Sequence, residues 1–375
     1  MIKTIESTIP GREGDSLKPA SNHYPALDAL RGVAALVVVL HHVAAFFLYA
    51  YPLTALAVPL WAIHRYGHPA VVIFFVLSGF VLMSSTIGRP EVSFKSFVTR
   101  RVFRIYPAFY VTLAVAATAA VAIEVRPFAE LGGYWNGAIP EFVWLDLLRA
   151  STLLLWIGNL TVLPIVWSLI HEMRFSLLFP MLARIAKQQR MAFAALTFTG
   201  LLASFGVQVI MGGGHLFLGT DLLTSLAITA FYLPMFAVGM LAAFYYDRRV
   251  AFSPGWKLEL VIILAAAILL YLDVDAVSAC ASVALIILLV CRNWLSRLFS
   301  TAPLVWLGRV SYSLYLVHFP ILFYAAWLFR GKTEAQFALG LALAVIVSFV
   351  AAWFLSEFVE HKAKNLGRRT STISA

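Results

Sequence analysis

Residues 24–47 read YPALDALRGVAALVVVLHHVAAFF, and this stretch decides the fold. It is long and apolar enough to cross a bilayer, which takes about 20 apolar residues. It nevertheless carries Asp28, Arg31, His41 and His42. A charged side chain at mid-span costs roughly 2.5–3.5 kcal/mol on insertion scales, so such residues are rare and usually functional. At about 100° per residue, Arg31 and His42 return to within about 20° of one helical face, whereas His41 points about 80° away from Arg31. Asp28 lies on the Arg31 side. One face therefore presents a carboxylate, a guanidinium and an imidazole, with a rise of about 16 Å from Arg31 to His42.

The rest of the chain repeats the theme. Of 375 residues, 62% are hydrophobic and only 12% charged. This excludes a row of soluble domains and predicts an all-α polytopic membrane protein, a bundle of about ten transmembrane helices. The expected spans are 25–48, 69–87, 106–124, 165–184, 191–211, 222–245, 258–273, 275–291, 311–329 and 335–358. A polar tail, 1–23, precedes the membrane domain, 24–360, with no signal peptide expected, and a basic tail, 361–375, follows it. The apolar piece Leu147 to Ile157 is too short to span and is expected to lie at the surface or re-enter.

The net charge of +10 does not require a nucleic-acid partner. With both termini placed in the cytoplasm, Arg65, Arg126, Arg149, Arg330 and Lys332 are the only basic residues in outer segments, and Arg31 and Arg174 lie within spans; the rest of the 28 fall on the inner side. That asymmetry is a positive-inside signal, and it makes the lipid bilayer the partner. The longest outer loop, about 125 to 164, is acidic and aromatic (Glu130, Tyr134, Trp135, Glu141, Trp144, Asp146). Cys280 and Cys291 share one expected span about 16 Å apart, too far for a disulfide.

Four further stretches carry polar groups into this apolar frame. In FFVLSGFVL, residues 74–82, Ser78 and Gly79 are small enough to let helices approach closely. In FVTRRVFRIYPAFY, residues 97–110, Arg101 and Arg104 share a face and Arg100 points elsewhere; Tyr106-Pro107 is expected to open the third span. This stretch reads either as a positive-inside anchor or as a phosphate clamp, since guanidinium binds phosphate oxygens bidentately. In VWSLIHEMRFSLLFP, residues 166–180, Ser168 and Glu172 are spaced to lie together, with His171 and Arg174 on neighbouring faces. Either Glu172 and Arg174 pair with charges on other helices, or Glu172 orients an imidazole across the bundle. In GRVSYSLYLVHFP, residues 308–320, His318 follows Tyr312 and Tyr315. Histidines 23, 64, 68, 215 and 361 are expected in tails or loops, without metal-ligand spacing, so no metal is expected. Gly212 to Gly214 reads as an outer turn.

LDALRG followed by His42, then RRVFRIYP, WSLIHE and SYSLYLVHFP in that order, resembles the acyltransferase-3 family of integral membrane O-acyltransferases, from about Tyr24 to about Glu360. Its pattern of Arg, ten residues, His falls on Arg31 and His42, and its Arg-x-x-Arg on Arg101 and Arg104. The doubled histidine is a departure from the pattern. The resemblance implies transfer of an acyl group, commonly acetyl, from acyl-CoA (acetyl-CoA) to a hydroxyl of a carbohydrate or lipid-linked glycan, in a multi-pass protein of the bacterial cytoplasmic membrane. Acyl transfer needs a base for the hydroxyl and a donor for the developing oxyanion. His42 is then the general base or transient acyl acceptor, with Glu172, Asp28 and Ser168 in the catalytic group. Arg31, Arg101, Arg104 and Tyr106 are expected to bind the cofactor, and His318 and Trp167 the acceptor. The alternative is a proton-coupled transporter or exporter, which also uses intramembrane His, Glu and Arg; the chain shows no inverted repeat to favour it.

Overall fold

The computed structural model describes residues 24–87, 93–139, 144–155, 162–217, 219, 221–246, 254–291 and 293–373. The polar tail with His23, and Glu141, Arg89, Arg248, Arg249 and Arg292, lie outside the described residues, and so do the side chains of Glu130, Trp144 and Asp146. Among those described, the regular structure is entirely helical: α1 (Pro25–Ala50), α2 (Ala57–Arg65), α3 (Gly67–Ser84), α4 (Phe94–Ala122), α5 (Gly132–Asn136), α6 (Trp144–Ser151), α7 (Val166–Gln188), α8 (Arg190–Ile210), α9 (Leu222–Tyr245), α10 (Trp256–Tyr271), α11 (Asp275–Val290), α12 (Trp294–Phe299), α13 (Ala302–Leu328), α14 (Glu334–Leu355) and α15 (His361–Ile373).

Local chemistry sets the helix starts. Pro25 opens α1, where its missing N–H costs nothing, and Asp28 sits in the first turn against the positive end of the helix dipole. Asp221 with Thr224 and Thr333 with Gln336 form reciprocal capping boxes at α9 and α14.

Among the described residues, seven helical stretches are long and apolar enough to cross a membrane: 25–50, 57–84, 94–122, 190–210, 222–245, 302–328 and 334–371. The other expected spans fall outside that set for visible reasons. α7 holds Glu172, Arg174, Arg184 and Lys187, and α10 and α11 have 16 residues each. The chain reverses direction from one long helix to the next. One end of the bundle, here the near end, therefore gathers the starts of α1, α4 and α13 and the ends of α3 and α7. The far end gathers the starts of α3, α7 and α11.

Several boundaries differ from the sequence expectation, the start of α13 at Ala302 rather than at 311 among them. The third span does not open at Tyr106-Pro107; α4 starts at Phe94, where Ser93 Oγ accepts the Ser96 N–H, and Pro107 lies inside it. A hydropathy window discards the arginine-rich first turns because it cannot tell that a polar cavity receives them. At the other terminus, α14 passes through one wide turn, Ser356–Glu360, into α15, which runs along α4: Ser96 Oγ donates to the Ser371 carbonyl at 3.3 Å.

In lipid there is no hydrophobic drive between helices, so close approach of backbones carries the association. Glycine pairs mark the two tightest crossings. A methyl on Gly308 would land on the Asp28 carbonyl oxygen, and one on Gly32 on the Gly308 nitrogen, fixing α13 against α1. A methyl on Gly79 would land on the Phe236 carbonyl oxygen, and one on Gly239 on the Val76 oxygen, fixing α3 against α9. The close approach expected at Ser78-Gly79 is thus present.

Candidate active site

α1 and α4 bring their arginines to the near end, where a cavity of about 1180 Å³ opens. Arg31, Arg101 and Arg104 line it, and Arg100, which the helical face had pointed elsewhere, lines it too while holding Ser96 Oγ at 3.2 Å. Asp28 Oδ1 accepts from Arg31 Nη1 at 3.0 Å, which fixes that guanidinium. Further cations come from segments that sequence patterning had placed in tails or topology loops: Arg184, Lys187, Arg309, Lys364 and Arg368. Positive-inside counting flagged these residues only as a set, with nothing to separate cavity from surface. Glu360 is buried among them, accepting from Ser313 Oγ at 2.8 Å and pairing with Lys364.

Arg31, Arg101 and Arg104 also line a narrower cleft with Ser78, Ser168, Glu172, Tyr312 and Tyr315, so the two spaces share their arginine wall. Ser168 Oγ lies 2.7 Å from the Tyr315 hydroxyl. The Tyr315 ring in turn stands 5.8 Å from that of His318.

Beyond the cleft, α1 and α13 set two imidazoles against each other. His318 Nδ1 lies 3.0 Å from the Leu314 carbonyl, an acceptor only, so Nδ1 carries the proton and Nε2 a lone pair. His42 Nδ1 lies 2.8 Å from the Val38 carbonyl and 3.3 Å from His318 Nε2. Both are acceptors, so His42 is also protonated at Nδ1, and its Nε2 keeps a lone pair. His41 turns away, with Nδ1 2.6 Å from the His64 carbonyl, as the helical-face reading requires.

Other expected placements change. No hydrogen bond among the described residues joins Glu172 or Asp28 to His42; Glu172 faces the arginine cleft, and Asp28 holds Arg31. Tyr106 directs its hydroxyl to the Thr152 carbonyl and lines neither space. Trp167 stacks on His68, centroids 5.5 Å apart. Among the described residues Arg174 pairs with no carboxylate: neutral acceptors on Leu154, Ser225 and Thr229 hold it, which ties Leu154 of the 147–157 piece, whose last two residues lie outside the described ones, into the bundle. His64, His68 and His361 lie in α2, α3 and α15 rather than in loops, because helices continue past the apolar windows that defined the spans.

An all-helical membrane bundle with an arginine cavity leading toward a buried histidine defines an integral membrane enzyme class. The acyltransferase domain model of the acyltransferase-3 family matches residues 24–356, and the chain belongs to that family: it is a membrane acyltransferase. Acyltransferase MdmB of Streptomyces mycarofaciens is 29% identical, with 96% of each chain covered. Peptidoglycan O-acetyltransferase OatA of Listeria monocytogenes is 25% identical over 80% of this chain and 49% of its own length. Nodulation protein 10 of Rhizobium leguminosarum bv. viciae is 26% identical over 63% of this chain and 64% of its own. No solved structure matches the chain.

Proposed function

We propose that this acyltransferase moves an acetyl group from acetyl-CoA, bound at the arginine cavity, to a hydroxyl of a carbohydrate or lipid-linked glycan. The observation that carries the reading is the shared wall of Arg31, Arg101 and Arg104, which joins a wide basic cavity to a cleft ending at Tyr315 beside the His318–His42 pair. Phosphates suit the wide end, since arginine forks match phosphate oxygens. The rise of about 16 Å from Arg31 to His42 suits an extended pantetheine arm.

His42 Nε2 takes the proton of the acceptor hydroxyl as that oxygen attacks the thioester carbonyl carbon. The carbon–sulfur bond breaks, and the leaving thiolate takes the proton back from His42. The products are the ester and free coenzyme A thiol. His318 holds the His42 ring, and its own proton stays on Nδ1, donated to the Leu314 carbonyl. Glu172 acts on the arginine side rather than on His42. The glycan hydroxyl approaches from the far end, opposite the arginine cavity; a glycan acceptor is in keeping with the relative OatA, a peptidoglycan O-acetyltransferase.

The test is coenzyme A release in membranes supplied with acetyl-CoA and a glycan acceptor. Wild type is expected to release free thiol only when acceptor is present. Release that ignores the acceptor, or no release from any acyl-CoA, contradicts the reading.

A further inference from the structure

The far end of the bundle holds a second polar cluster that acyl transfer does not use. His68 begins α3, His215 lies in the loop after α8, and Asp275 begins α11. One ligand-capable atom from each lies within 4.8 Å of the other two. Asp275 Oδ1 stands 2.8 Å from His68 Nε2 and 3.7 Å from His215 Nδ1.

Asp275 is 1% exposed, yet neither of its carboxylate oxygens accepts a hydrogen bond from any described residue. A buried carboxylate without directed donors is rare and points to an ion or other partner. The His215 tautomer points the same way. Gln208 accepts the Asp275 N–H at its Oε1, so its amide nitrogen is the atom 3.3 Å from His215 Nδ1. That contact calls for a lone pair on Nδ1 and a proton on Nε2, which faces Asp273 Oδ2 at 3.2 Å. A ligating imidazole characteristically has its other N–H held by a carboxylate in this way. Asp275 Oδ1 lies 3.7 Å from that same Nδ1, and an ion between them would take the Nδ1 lone pair in place of the Gln208 amide.

We propose that His68 Nε2, His215 Nδ1 and Asp275 Oδ1 bind one zinc ion, with water completing the tetrahedron and Asp273 orienting His215. Imidazole and carboxylate ligands suit zinc. Two ligands at 2.0–2.2 Å from a tetrahedral ion stand about 3.4 Å apart, a value that the observed 2.8 and 3.7 Å bracket. The ion staples three segments that are distant in sequence. Through the flat stack of Trp167 on His68 it also braces the start of α7, the helix that carries Ser168 and Glu172. The rival is an ion-free triad. There a proton on His215, flanked by the Asp273 and Asp275 carboxylates, takes the cation's place.

The inference does not depend on the acetyl-transfer reading, and its experiment measures metal rather than activity. Full-length protein purified in detergent, exposed to equimolar zinc and desalted, is expected to carry about one zinc per chain by elemental mass spectrometry. Chelator treatment should lower its melting temperature, and zinc but not magnesium should restore it. His215→Ala and Asp275→Asn should lose the metal, whereas His215→Cys should keep it, because thiolate ligates zinc but cannot replace an imidazolium. Should the variants fail to fold, the chelator and zinc arms on wild type still decide. A wild-type chain that holds far less than one zinc, with a melting temperature indifferent to chelator and zinc, overturns the proposal in favour of the triad.

Discussion

His42 is placed by its own helix and by α13 at once. Its Nδ1 proton is shared between Val38 and His318, which leaves Nε2 available for chemistry. His42→Ala is therefore expected to abolish acetyl transfer while expression and insertion persist. His41→Ala should retain substantial activity, because that ring bonds toward His64; an inactive His41 variant beside an active His42 variant would break the assignment. The arginines make a second prediction at this scale. Replacing Arg101 or Arg104 by Lys keeps the charge and loses the fork. Removing either side chain should cost roughly 1.5–3 kcal/mol, about ten- to hundred-fold in donor affinity, of which Lys restores only part, with acceptor affinity little changed. Donor titrations check this, and unchanged affinity in both variants would return these residues to the role of topology signals.

At the scale of elements, the glycine crossings hold the site together. Gly308 lets α13 reach the α1 backbone, and the same pair of helices carries His318 and His42. Gly308→Val is expected to cost about 1–3 kcal/mol by overpacking, lowering both melting temperature and activity. Gly206 in α8 has no neighbour within 4 Å of an added methyl, so Gly206→Ala should be neutral or stabilise by about 0.4–1 kcal/mol. Thermal melts in detergent check both; a Gly308→Val protein with unaltered melting would deny that close approach fixes this crossing. Features that depend on one helix were legible in the sequence. The Arg31–His42 face, the turn of His41 away from it and the small residues at Ser78-Gly79 all follow from helical period and residue size. Features that depend on two or more segments were not. His318 was assigned to the acceptor, yet it meets His42 across a separation of 276 residues. Lys364 and Arg368 looked like tail charges until α15 folded back along α4. His68, His215 and Asp275 have no motif spacing at all, since only the alternation of helix directions brings their ends together.

For the whole molecule, the arginine cavity and the far-end cluster are expected to face opposite sides of the membrane. Reporter fusions at Arg190 and Arg369 are expected to be cytoplasmic and one at Gly213 external; an external reporter at Arg369 would contradict the expectation of about ten spans. On the proposed reading, the donor path runs from the Arg101 and Arg104 wall through the Glu172 cleft toward His42. The most direct measurement of that claim is a structure of the protein with a non-hydrolysable acetyl-CoA analogue. The predicted result has phosphates against Arg101 and Arg104, the pantetheine arm in the cleft past Ser168 and Tyr315, and the acyl carbonyl within reach of His42 Nε2. An analogue whose phosphates lie away from these arginines, or whose acyl group ends far from His42, would contradict the account.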